Sequence, residues 1–226
     1  MNRVVLCALA IASMTGCTSD FSRLTSGSSL PAANAAEAQP SDPIVRQLRD
    51  GGYVLYIRHG KTEQVFQDQQ GRPLWWKSCD TRASRPLSDE GRQQMLTIGT
   101  QMRELRIPVA RMVTSEYCRA FDSGLLMQLM PVTQDARLNF SDAQRAVGRN
   151  DETMRNEMQA LLSTPPPTGR NTILVGHVQA FNPPIDPVLQ QLLEGETAVI
   201  RPLGGGKLEL VGRIPVERWA ERVIKQ

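Results

Sequence analysis

A chain of 226 residues, 40% hydrophobic and 22% charged, can bury one full-sized core, and its length suits a single domain with extensions. The formal net charge of +3 is too small to argue for a nucleic-acid partner. What remains is a balanced globular enzyme or binding domain.

The N-terminus reads as a secretion signal. Met1-Asn2-Arg3 supplies a positive start, Val4 to Met14 an apolar stretch, and Met14-Thr15-Gly16-Cys17 a small-residue cleavage zone. The stretch is too short to anchor in a bilayer, so residues 1–16 are expected to leave as a signal peptide. Gly16-Cys17 resembles the end of a bacterial lipobox, which implies that Cys17 carries lipid and becomes the mature N-terminus. The alternative is cleavage near Ala33 to Ala38, which releases a soluble periplasmic protein. Residues 17–43 are rich in Ser, Ala, Pro and Gln with little to bury, so they form a flexible tether, and residues 44–226 form the domain. The expected location is the bacterial cell envelope, facing the periplasm, with the membrane reached through the N-terminal lipid. Cys7 leaves with the signal and Cys17 is taken by lipid, which leaves Cys79 and Cys118 either bridged or as two separate buried thiols.

Asp42-Pro43 followed by Ile44, Leu48 and Gly51-Gly52 predicts a short helix with an acidic start and a glycine stop. Tyr53 to Ile57 is the first strand. Gly60 to Arg85 has few periodic apolar positions and contains Gly71-Arg72-Pro73, so it is a long loop, of a length usually functional or mobile. Its Trp75-Trp76 pair either covers a pocket or packs the loop onto the domain. Ser88 caps a helix to about Leu105, with Met95, Ile98, Met102 and Leu105 at helical intervals. Arg111 to Thr114 is a second strand, about Tyr117 to Leu129 a second helix, and Asp151 to Leu162 a third, ended by Thr164 and Pro165-Pro166-Pro167. Thr172 to Val175 is the third strand. Thr197 to Arg201 and Lys207 to Val211 pair across Gly204-Gly205-Gly206, and Val216 to Ile224 closes as a helix. From the first strand onward the order is β-α-β-α-α-β-(α)-β-β-α, which argues for the α/β class: a three-layer α/β/α sandwich with a mostly parallel central sheet.

The two histidines of the chain each follow an apolar, β-rich run: Tyr53-Val54-Leu55-Tyr56-Ile57 leads into Arg58-His59-Gly60, and Thr172-Ile173-Leu174-Val175-Gly176 into His177. In an open α/β sheet the strand ends meet at one edge, where ligands bind, so these distant residues can face one pocket. Arg58-His59-Gly60-Lys61-Thr62 resembles the signature of the histidine phosphatase superfamily. Leu87-Ser88-Asp89-Glu90-Gly91-Arg92 and Ser115-Glu116-Tyr117-Cys118-Arg119-Ala120 resemble two further segments of that family, and His177 matches its second histidine.

The resemblance implies a fold of that superfamily and a phosphatase working through a phosphohistidine. It makes His59 the nucleophile, and Arg58, Arg119 and His177 the phosphate-binding set; Ser115, at the start of a helix, either meets the phosphate itself, orients Arg119 or serves only as an N-cap. The chemistry suits these types. A guanidinium presents a planar, permanently charged fork to two phosphate oxygens, and a histidine near neutrality keeps one nitrogen free to attack. No metal or other cofactor is required by the scheme. The general acid departs from the family. Phe140, in Leu138-Asn139-Phe140, stands where one branch has glutamate, and Val178 where another has aspartate after the second histidine. Asp142 is the nearest carboxylate, with Asp151, Glu152 and Glu196 as alternatives. The missing glutamate also argues against a mutase. The substrate expected is a small-molecule or envelope phosphate, and the rival is a phosphate-binding envelope lipoprotein without turnover.

Overall fold

A computed structural model describes residues 43–182 and 184–219. The expected signal segment, the Cys17 lipidation site, the tether up to residue 42 and the end of the closing helix lie outside them.

Six strands form one sheet. They are β1 (Val54–Arg58), β2 (Val109–Thr114), β3 (Val132–Gln134), β4 (Asn171–Gly176), β5 (Thr197–Gly204) and β6 (Lys207–Ile214), in spatial order β3-β2-β4-β1-β5-β6. The four strands β3, β2, β4 and β1 run parallel, while β5 lies antiparallel to β1 and β6 antiparallel to β5. The centre is held by β4 and β1, whose unbroken apolar runs suit strands covered on both faces.

Side chains alternate between two layers, as the two-residue period of a strand requires. Leu55, Ile57, Ile173 and Val175 meet one helical layer, in which Leu48, Met95, Ile98, Met102, Met127 and Trp219 are buried. That layer is built from α1 (Pro43–Gln47), α2 (Asp89–Glu104), α3 (Cys118–Met127) and α6, described as Val216–Trp219. Val54, Tyr56, Val113 and Leu174 face the other layer, where α5 (Asp151–Ser163) contributes Met158, Leu161 and Leu162. The architecture is the three-layer sandwich that the element order implies.

Local chemistry sets the helix ends. The Ser88 hydroxyl accepts the Gly91 N–H at 3.1 Å, and Asp89 and Glu90 occupy the positive end of the α2 dipole. Asn150 caps α5 in the same way, through the Thr153 N–H at 2.8 Å. Helix α3 stops at Met127, short of the predicted Leu129, because Gln128 turns left-handed at φ 52°.

Among the elements that escape the sequence pattern are the three-residue β3 and the six-residue α4 (Ser141–Ala146). The hairpin strands are longer than predicted, since the turn is confined to Gly204, Gly205 and Gly206, all at positive φ. The 60–85 segment is a loop, tied at its base by a single bridge between Thr62 and Leu87 and containing one 3-10 turn, Trp75–Lys77. Its Trp75 and Trp76 are buried against Tyr117, Phe140 and Ala143. A disulfide joins Cys79 of this loop to Cys118 at the start of α3.

Candidate active site

The ends of β1 and β4 carry the two histidines side by side, with ring centroids 4.9 Å apart. His59 N–H donates to the Gly176 carbonyl at 3.1 Å, continuing the β1–β4 pairing by one residue. Tyr56, three residues earlier on β1, clamps the other strand. Its hydroxyl donates to the His177 carbonyl at 2.9 Å and accepts the His177 N–H at 2.9 Å. Gly176 leaves the room for this clamp, since a Cβ there would lie 2.3 Å from the Tyr56 Oη.

The glycine of the Arg-His-Gly triplet has a steric reason. A Cβ on Gly60 would stand 2.5 Å from the Gly91 carbonyl, and one on Gly91 would stand 2.0 Å from that of Lys61. The loop after β1 and the first turn of α2 therefore touch backbone to backbone, which links the Arg-His-Gly and Leu-Ser-x-x-Gly motifs physically. Gly60 N–H also donates to Ser123 Oγ at 3.1 Å, and that hydroxyl donates to the Arg119 carbonyl at 2.6 Å. The loop of His59 and Gly60 is thus tied to the helix that carries Arg119.

Tautomers follow from partners. His59 Nδ1 lies 2.8 Å from the Gly60 carbonyl, which can only accept, so Nδ1 carries the proton and Nε2 keeps its lone pair. Burial, the largest cause, with the charges of Arg119, Arg58 and Arg85, pushes the His59 pKa well below the usual histidine range. The ring is neutral at pH 7. Ser115 Oγ accepts the Tyr117 N–H at 3.4 Å and stands 2.7 Å from His177 Nε2, to which it can give its own proton. His177 Nδ1 then bears the remaining hydrogen, and it is buried without a hydrogen-bond partner. In that tautomer the Nδ1–H is a buried donor with no acceptor.

Cations surround the rings. Arg58 Nη1 donates to the Leu192 carbonyl at 2.8 Å, its Nη2 stands 3.7 Å from Glu194, and its Nε is buried with no partner. Arg119 has a 1% exposed side chain, and its guanidinium carbon lies 4.7 Å from the Tyr117 ring centroid and 5.1 Å from that of Phe140. Its two terminal nitrogens donate to the two oxygens of Asp68, at 3.0 and 2.9 Å. Arg85 is a third cation, close enough to lower the pKa of both histidines. Its Nε is buried and unpartnered, and Gln64 holds its Nη1 at 3.3 Å.

The structure thus brings together His59, His177, Ser115, Arg58 and Arg119. It adds Arg85 and Asp68, which lie in a loop without periodicity; the one signal was Arg85 standing just ahead of the Leu87-Ser88 motif. It does not bring Asp142. That carboxylate is 61% exposed on the first turn of α4 and ion-paired at 3.1 Å with Arg145, which also binds Asp151. Glu152 is exposed, and Glu196 is bound by Arg213 and the Leu193 N–H. The place expected for a family acid is filled by the Phe140 ring, 4.5 Å from that of His177. Asp142→Asn is accordingly expected to change the hydrolysis of alkyl phosphates by less than about threefold, the scale of an exposed pair. A large loss on alkyl but not on p-nitrophenyl phosphate would restore Asp142 as proton donor.

A cavity of about 600 Å³ lies beside this constellation, lined by Trp76, Glu116, Asn139 and Gln144 and by neither histidine. Its charges already pair with one another, Lys77 with Glu116, Arg137 with Asp135 and Arg149 with Glu157, so it offers no free anion fork. Among the described residues no group of three His, Cys, Asp or Glu side chains is arranged to hold a metal ion.

Solved structures share the fold. The protein histidine phosphatase SixA in complex with tungstate matches at 12% identity, covering 73% of this chain and 97% of its own, with a TM-score of 0.50. A putative α-ribazole-5′-P phosphatase from Escherichia coli K-12 matches at 15% identity, covering 74% and 98%, also with a TM-score of 0.50. A phosphoserine phosphatase mutant from Entamoeba histolytica in complex with phosphoserine matches at 12% identity, covering 74% and 98%, with a TM-score of 0.49. No curated protein matches in sequence. The family model of the histidine phosphatase superfamily (branch 1) matches residues 54–176, more than half of the chain and the span from β1 to the residue before His177. The chain belongs to the histidine phosphatase superfamily.

Proposed function

We propose that this protein is a phosphatase that hydrolyses a phosphomonoester through a phosphohistidine on His59. The general class is supported by family membership. The observation that carries the finer reading is the His59 ring, held neutral with its Nδ1–H on the Gly60 carbonyl and its Nε2 lone pair free among three guanidinium groups.

In the first step Nε2 attacks phosphorus, a P–N bond forms, and the P–O bond to the leaving group breaks. Arg58, Arg119 and the Nδ1–H of His177 face the negative charge spread over the peripheral oxygens. In the second step water attacks the phosphohistidine, the P–N bond breaks, and inorganic phosphate leaves with a neutral imidazole restored. Ser115 acts through His177 by fixing its tautomer. With Phe140 in place of an acid, the scheme favours leaving groups stable as anions.

Hydrolysis of p-nitrophenyl phosphate in excess EDTA, with a burst of p-nitrophenol followed by a slower steady rate, is the expected result. Phosphate binding without turnover or burst would favour the non-catalytic binding protein instead.

A further inference from the structure

We propose that Asp68 is a built-in competitor for the phosphate site: its carboxylate fills the Arg119 fork until a phosphoryl group displaces it. The inference rests on the reading of Arg119 as a phosphate ligand. The two oxygens of Asp68 take one terminal nitrogen each, at 3.0 and 2.9 Å, which is the two-pronged geometry a guanidinium offers to a pair of phosphoryl oxygens. One fork cannot hold both anions. The pair is well shielded, with the Arg119 side chain 1% and that of Asp68 11% exposed.

The segment that delivers Asp68 is otherwise turned outward. Gln64, Val65, Phe66, Gln67, Gln69 and Gln70 are all exposed, Val65 at 83%. Little apolar burial holds this strap down, so its opening lies at the cheap end of local unfolding. What pins it is polar: the Arg119 pair, the Arg85 N–H on Asp68 Oδ1 at 3.0 Å, and the Gln69 N–H on the Ala83 carbonyl at 2.9 Å. The Thr62–Leu87 bridge and the Cys79–Cys118 disulfide hold the loop at either side of the strap, the second right beside Arg119. Movement is thereby confined to the stretch that carries Asp68.

His59 is 1% and His177 0% exposed, so both rings lie deep in the site beside this fork. Withdrawing Asp68 vacates the fork, and an arriving phosphate supplies the charge that Arg119 loses. Only the open fraction of molecules binds, and the apparent dissociation constant rises by the inverse of that fraction.

Calorimetric titration with inorganic phosphate tests this on the full chain, on Asp68→Asn and on Asp68→Ala. If nine molecules in ten are closed, both variants bind phosphate roughly tenfold more tightly than wild type. Their Tm, lower without anion because Arg119 is left unpaired, rises further with phosphate than that of wild type. Hydrogen exchange in the unaltered protein gives an independent readout: phosphate should speed exchange at the Gln69 and Arg85 amides. Unchanged or weaker phosphate binding by both variants, or amides that slow with phosphate, would overturn the competitor role. A variant that loses only alkyl phosphate hydrolysis would overturn it too, by making Asp68 a proton donor. Failure of wild type and variants alike to bind phosphate would remove the phosphate site itself. A chain that binds phosphate but never turns over would sink the phosphatase reading and leave this inference standing.

Discussion

His59→Ala is expected to lower kcat for p-nitrophenyl phosphate by about four orders of magnitude or more, the scale on which enzymes lose rate when a covalent nucleophile is removed. The size follows from the division of labour. The surrounding cations can still bind the ester, but with no Nε2 in line the reaction has only water to fall back on. The loss should therefore fall on kcat, with phosphate still bound. A rapid acid-avoiding quench should find acid-labile phosphate on His59 in the unaltered protein and none in the variant; label on His177 alone would refute the assignment. The pH profile adds a second check. Burial and three arginines depress the His59 pKa, so the neutral, attacking form persists as pH falls through the ordinary histidine value near ~6.5. Once the substrate's own ionisation near ~6 is divided out, kcat/KM should stay level from pH 7 to below 6 and fall only at lower pH. A fall centred on the ordinary value would mean a solvated nucleophile.

Arg119→Lys is expected to cost about 10²- to 10³-fold in kcat, the loss seen when one preorganised donor to a transition-state oxygen is removed. Lysine keeps the positive charge but presents a point, not a planar fork, and its ammonium lacks the flat face that rests on Tyr117 and Phe140. Two oxygens held by one rigid group become one oxygen held by a flexible stem. Measuring kcat and KM separately on p-nitrophenyl phosphate, with the melting temperature alongside, isolates the effect. Near-normal turnover would reduce Arg119 to a structural partner of Asp68.

Much of this site was legible because strands announce themselves. Val54 to Ile57 and Ile173 to Val175 are unbroken apolar runs, and a parallel sheet puts the residues that follow them at one edge, so His59 and His177 could be paired without coordinates. Helix α2 was equally plain, with Ser88, an acidic first turn and methionines at helical spacing. The elements that were missed lack such signals. With three residues at the sheet edge, β3 has no periodicity to detect, and α4 is too short for an amphipathic face. Asp68 and Arg85 were hidden for a related reason. They sit in a loop whose inward and outward positions follow no period, and a single carboxylate among Gln64, Gln67, Gln69 and Gln70 looks like one more solvated side chain. Asp142 drew attention by nearness in sequence to the expected acid position. Nearness along the chain is a poor guide there, because the α4 turn points it at Arg145.

The parallel ladder that matches Arg58 with Gly176 makes the sheet a ruler for the reaction. Each histidine is the next rung beyond that match, so the gap between the rings is graduated in whole residues, at about 3.3 Å a step, and an odd slip would turn one ring to the opposite face. Substitutions in the 60–85 loop, which brings Asp68 and Arg85 to the site, therefore change what surrounds the histidines while the spacing of their backbones stays where the ladder put it.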